Sequence, residues 1–156
     1  MTDGYVVFHY PSGVKSSEGT LVNGQPDGWW RSYDEEGNLV SEGNRKNLQL
    51  DSVWNFYQKG RLYLTLHYSA GKKEGEQVQY ADRDYTVTRW HADTIADDVH
   101  TYDNAGWLKR LVPYANGKPH GLAKEFDQTG LVIAVTKYYH GMRNRTERIN
   151  RTDQFG

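Results

Sequence analysis

The chain has 156 residues with 19 basic and 20 acidic side chains, a formal net charge of −1 and no cysteine. Near-neutrality gives no general attraction to nucleic acid or to an anionic membrane, and the absence of thiols excludes disulfide staples and thiolate metal centres. Apolar residues are few, while 12 tyrosines and 5 tryptophans suit half-buried sheet faces, because these rings bury apolar area and keep a polar edge for water.

In chain order, Val6 to Tyr10 reads as a strand, Pro11 to Gly13 as a turn, and Val14 onward as the return strand toward Asn23 and Gly28. The second unit runs out over Trp29 to Tyr33, turns at Asp34 to Gly37 and returns over Leu39 to Gly43. In the third, Leu62, Leu64, Leu66 and Tyr68 alternate with Arg61, Tyr63, Thr65 and His67, the period of two of a strand with one buried face. The fourth unit keeps the length but loses its glycines: Asp84 stands at the turn position, and Thr94 and Asp98 replace the loop pair, so the loop at 92–98 is expected to take a different path. The fifth restores the pattern with Gly106, Gly117 and Gly121 but carries Pro113 in its return strand, which predicts a bulge or break. The sixth runs from Leu122 through Gly130 to Gly141, and a partial seventh strand is expected over 146–151.

These units share one register. A first loop position recurs at Gly24, Asn47, Gly71, Thr94, Gly117 and Gly141, a second at Gly28, Asp51, Gly75, Asp98, Gly121 and Arg145, and an aromatic anchor at Tyr10, Tyr33, Tyr57, Tyr80, Tyr102 and Phe126. A fixed period in the twenties marks a repeat architecture. The expectation is therefore all-β: an elongated, single-sheet antiparallel β-meander of about six 23-residue hairpin repeats, at about 5–28, 29–51, 52–75, 76–98, 99–121 and 122–145, forming one domain over 1–156. Hairpins are expected near Gly13, Gly37, Gly60, Asp84, Gly106 and Gly130, with glycine supplying the positive φ of a short bulged loop.

The run Gly28 to Tyr33, the Glu36-Gly37-Asn38-Leu39 segment that follows, and the tyrosine–glycine–glycine spacings at Tyr68 to Gly75 and Tyr114 to Gly121 resemble MORN-type repeats over about residues 5–145. They look most like the bacterial YwqK-type antitoxin variant. The resemblance implies an elongated meander used for protein contacts and, in the bacterial branch, immunity against a toxin; eukaryotic relatives are linked to membranes and lipid scaffolding.

His9, His67, His91, His100, His120 and His140 match no zinc spacing, and Asp82 and Asp84 are better read as turn residues than as a cation-binding pair, so no metal, cofactor or catalytic residue is expected. Trp29 and Trp30 should face opposite sides of a sheet. Trp107 follows the turn glycine Gly106, where an aromatic ring has little of its own sheet to pack on. With Trp90, Asp97 and Asp98 it marks the irregular fourth and fifth units as the expected partner-binding region. Residues 1–104 carry a charge balance of −6 and residues 105–156 one of +5. An acidic face of Glu35, Glu36, Asp82, Asp84, Asp97 and Asp98 would suit a basic protein toxin, such as one that acts on nucleic acid. The expected function is a non-enzymatic immunity protein that occludes its toxin without touching nucleic acid. The rival is a scaffold that self-associates edge to edge or lies on a membrane through Arg143, Arg145, Arg148 and Arg151. The start, MTDGYVVFHY, enters a strand pattern without a charged, apolar leader, and no window approaches a membrane span, so a cytoplasmic home is the expectation.

Overall fold

A computed structural model describes residues 3–149. The protein is all-β, with no helix among those residues, and is an antiparallel meander whose neighbouring strands follow chain order. Two compact units divide it at Gly75 and Glu76. The first contains β1 (Gly4–His9), β2 (Lys15–Val22), β3 (Gln25–Tyr33), β4 (Leu39–Lys46), β5 (Gln49–Gln58) and β6 (Arg61–Ser69), paired in that order, with β7 (Lys72–Lys73) against β6. The second contains β8 (Gly75–Tyr80, beginning at the boundary), β9 (Asp84–His91), β10 (Thr94–Ile95), β11 (Val99–Asp103), β12 (Leu108–Val112), β13 (Tyr114–Ala115), β14 (Lys118–Pro119), β15 (Gly121–Phe126), β16 (Val132–Tyr139) and β17 (Met142–Arg148). Of the partial strand expected over 146–151, residues 150 and 151 lie outside the described residues.

Two kinds of turn build the repeat. At one end of the strands a three-residue loop closes on a glycine at positive φ: Gly13 (93°), Gly37 (89°), Gly106 (101°) and Gly130 (93°). In the last three, an aspartate at the start of the loop accepts backbone N–H groups within it. Asp34 takes those of Glu36 and Asn38, Asp103 that of Ala105, and Asp127 those of Thr129 and Leu131. At the other end each unit makes a two-residue turn with both residues left-handed, at 23–24, 47–48, 70–71, 92–93, 116–117 and 140–141. The right-handed twist of flanking strands favours that geometry.

Three expectations change. The fourth unit's loop keeps the same two-residue turn, made by Ala92 (φ 46°) and Asp93 (φ 68°) rather than at Thr94, which opens β10. In the third unit the left-handed residue after the loop is Ser52 (φ 57°), not Asp51. Asp84 does not occupy a glycine-like position either. Ala81 N–H bonds to the Asp84 carbonyl across a loop of only Asp82 and Arg83, one residue shorter than the glycine-closed loops. That missing residue accounts for the 22-residue anchor interval between Tyr80 and Tyr102. The turn near Gly60 is likewise a two-residue one, with Lys59 at φ 51° and Gly60 at 77°.

Pro113 does break its strand: β12 stops at Val112, and β13 pairs only with β14. Within each unit the core is one thin row on one sheet face. It holds Trp30, Trp54 and Leu66 in the first unit and Thr88, Ala123 and Ala134 in the second.

Candidate functional site

In the first unit the two sheet faces carry different chemistry. On one, the register sets Val6, Gly19, Trp30, Gly43, Trp54 and Leu66 side by side across six strands. Each tryptophan lies flat over the preceding glycine. A Cβ on Gly19 would come within 2.3 Å of the Trp30 ring, and one on Gly43 within 2.2 Å of Trp54. Each indole N–H then donates to the carbonyl just past that glycine, Trp30 Nε1 to Thr20 at 3.0 Å and Trp54 Nε1 to Asn44 at 2.8 Å. Phe8 stacks on Trp30 with centroids 6.4 Å apart, and Phe56 lies the same distance from Trp54. Ser17, Pro26, Trp30, Ser32, Arg45 and Trp54 line a groove of about 170 Å³ on this aromatic floor.

The opposite face repeats a glutamate clamp. Glu18 accepts from the Tyr5 and Tyr33 hydroxyls and from Lys15 Nζ at 2.7 Å; Glu42 accepts from Tyr57 at 2.5 Å and from Trp29 Nε1 and Arg31 Nε, both at 3.2 Å. The bonds from Lys15, then Tyr33 and Tyr5, hold the Glu18 carboxyl down to about 2. Burial raises Glu42, but the bonds from Tyr57, Trp29 and Arg31 outweigh it and leave the carboxyl low. Glu42 and burial together push the Tyr57 hydroxyl up to about 12. Trp29 and Trp30 do take opposite faces, one 40% exposed and the other 9%.

The residues singled out for partner binding fall in separate places. Glu35 and Glu36 are exposed in the Asp34–Gly37 turn of the first unit. In the second unit, Asp82, Asp84 and Trp107 gather at one end of the strands. Asn104 ties the two turns there, its backbone N–H donating to the Arg83 carbonyl and its Nδ2 to that of Asp82, both at 3.1 Å. Asp84 is half-buried and paired with Lys109 Nζ at 2.9 Å, while Trp107 is half-buried rather than a projecting tip. Trp90, Asp97 and Asp98 sit at the opposite end of β9, roughly 23 Å away at about 3.3 Å per residue. Trp90 Nε1 donates to Gln77 Oε1 at 2.9 Å; Asp97 is exposed, and its carboxylate accepts the Asp98 N–H. Pattern-breaking residues thus mark two clusters, not one.

Among the described residues no group of three or more His, Asp or Glu side chains is placed to hold a metal ion. His120 and His140 meet with ring centroids 4.8 Å apart beside the exposed Tyr139, and the His140 N–H donates to His120 Nδ1. The basic residues Arg143, Arg145 and Arg148 are exposed on β17; Arg151 lies outside the described residues. The chain's sequence is matched by the family described as MORN repeat variant over residues 26–47. Comparison with curated proteins gives no match. A repeat of MORN type is thus present at residues 26–47, and the matched span contains Pro26, Trp30, Ser32, Gly43 and Arg45.

Sequence reasoning passed over the glutamate clamp, the glycine–tryptophan row and Arg45. The signal was present, since Ser-Glu-Gly occurs at 17–19 and again at 41–43 in the same register.

Proposed function

We propose that this chain is a non-enzymatic protein-binding module that serves as the immunity or antitoxin partner of a protein toxin, acting in the cytoplasm by occluding the toxin's working surface. One observation carries the binding reading: a thin core leaves large rings in solvent, with Tyr5 61% and Phe8 48% exposed beside Trp29 in the first unit and Tyr139 61% exposed in the second. Exposed rings of this kind supply contact area at low entropic cost and are frequent binding anchors. The acid excess over residues 1–104 supports a basic partner, whose association it would accelerate.

Co-expression with the protein encoded beside this gene tests the reading. A stable, salt-sensitive complex that relieves toxicity is the expected result; the absence of both a complex and relief would overturn it. A scaffold on a membrane surface is the second reading, favoured by β17, where every residue is exposed and Met142 adjoins the arginines. Salt-sensitive binding to anionic vesicles would select it.

A further inference from the structure

The groove between Trp30 and Trp54 contains an unanswered charge. The Nε of Arg45 is buried and has no hydrogen-bond partner, and no carboxylate among the described residues pairs with this guanidinium. A buried donor without an acceptor is costly and rare in a folded chain. The rest of the guanidinium is not sealed off in the same way, and Arg45 lines the groove, so an acceptor from outside can reach this group. The Ser17 and Ser32 hydroxyls lining the same groove make no hydrogen bond within the described chain. Both indole N–H groups are committed to backbone carbonyls, which leaves the rings as apolar walls.

The geometry points to this groove as the receptor for an acidic side chain, aspartate or glutamate, presented by an extended segment of a partner protein. At about 170 Å³ it is smaller than a metabolite pocket and takes a head group with a short stem. A guanidinium edge presents parallel donors that fit a planar carboxylate, and the serine hydroxyls can complete its shell. A phosphate carries close to two charges, whereas Arg45 is the groove's only cation. A chain-terminal carboxylate is usually captured by a nest of free backbone N–H groups, whereas the charge and the hydroxyls offered here come from the side chains of Arg45, Ser17 and Ser32. The indoles shield the pair from water and strengthen it. This inference rests on the reading of the chain as a protein-binding module, though not on which protein it binds.

The test uses the full chain and N-acetyl-aspartate methylamide, following by NMR the indole N–H signals of Trp30 and Trp54 and the Arg45 Nε–H signal. All three should shift saturably in the millimolar range. The asparagine isostere should give no saturable shift, and the phosphoserine analogue and N-acetylglycine should bind more weakly than the aspartate probe. Arg45→Gln should weaken the probe at least tenfold. Ser32→Ala, which removes no charge, should weaken it severalfold and covers the case in which the arginine variant fails to fold. Absence of saturation, an equal response to the asparagine probe, or unchanged binding in folded variants would overturn the proposal. Tighter binding of the phosphoserine analogue or of N-acetylglycine would overturn the aspartate assignment in favour of phosphate or a chain terminus. Because the probe is small, a negative result here leaves the partner reading to stand or fall on co-purification, and failed co-purification leaves the probe result intact.

Discussion

Glu18 and Tyr57 set the pH window of the first unit. The Glu18 carboxyl is lowered from 4.5 to about 2, so its bonds contribute fully above pH 4.5 and are lost as pH falls through about 2. Tyr57 is raised from 10.0 to about 12, so its contribution is complete below pH 10 and disappears as pH rises through about 12. Melting temperature should therefore be flat between these limits and fall on both sides. Glu18→Gln should remove part of the acid slope and, because Glu18 also raises the Tyr5 and Tyr33 hydroxyls, a smaller part of the alkaline slope. Tyr57→Phe should remove part of the alkaline slope and, by taking a bond from Glu42, a smaller part of the acid slope. Exposure of Lys15 keeps the expected effect of the Glu18 clamp modest at neutral pH. A second residue-level prediction concerns Gly43. An added methyl would sit 2.2 Å from the Trp54 ring, which is held by its own hydrogen bond and cannot swing aside freely. Gly43→Ala should destabilise by roughly 1–3 kcal/mol in urea titration, in the range of an overpacked core. With Trp54→Leu added, the double variant should lose less stability than the sum of the two single losses, because the clash disappears with the ring.

At the level of turns, the repeat tolerates backbone cost where its sequence has drifted. Leu48 is held at φ 65° and is 57% exposed, in a turn whose second residue is Gly24, Gly71, Gly117 or Gly141 in four other repeats and Asp93 in the fifth. A left-handed residue with a Cβ costs roughly 1–2 kcal/mol, offset in part by the extra freedom glycine brings to the unfolded chain. Leu48→Gly should thus stabilise by about 0.5–1 kcal/mol, read as a higher denaturation midpoint at constant slope. Gly37→Val should act in the opposite sense, since Gly37 sits at φ 89°. The meander and its four bulged glycine turns were legible because glycine and a period of two are direct records of backbone geometry. The two-residue turns at 47–48 and 92–93 were not, because there the strands impose left-handed geometry on Leu48, Ala92 and Asp93 against their preference. Spacing alone placed the fourth turn on Thr94, since a one-residue shortening at Asp82–Arg83 shifts the count without leaving a glycine behind.

At the scale of the molecule, a single-layer sheet separates residues by strand length as effectively as it gathers them by register. Trp107 and Trp90 break the repeat pattern in neighbouring units, and proximity in sequence suggested one surface. The strands instead carry them to opposite ends of the second unit, Trp107 beside Asp82 and Trp90 at the far end of β9. The sequence carries the clue, because successive turns of an antiparallel meander lie at alternate ends of its strands, and the 92–98 loop and the Gly106 turn are successive; grouping residues by irregularity overrode it. The separation makes the partner-binding reading sharper. A partner of standard interface size, about 800 Å² per side, can cover both ends of strands roughly 23 Å long. If it does, Trp107→Ala and Trp90→Ala should each cost over 1 kcal/mol in complex stability, and the double variant should cost their sum, as sites farther apart than about 10 Å act independently. Reversing the charges of Asp97 and Asp98 should slow association and weaken its salt dependence, with little change in dissociation. Loss confined to the Trp90, Asp97 and Asp98 end would fix the partner there, and loss confined to Trp107 would fix it on the turns joined by Asn104. Retention of affinity in all of these variants would move the contact off the fourth and fifth units altogether, with the arginines of β17 and the aromatic floor of the first unit as the surfaces to vary next.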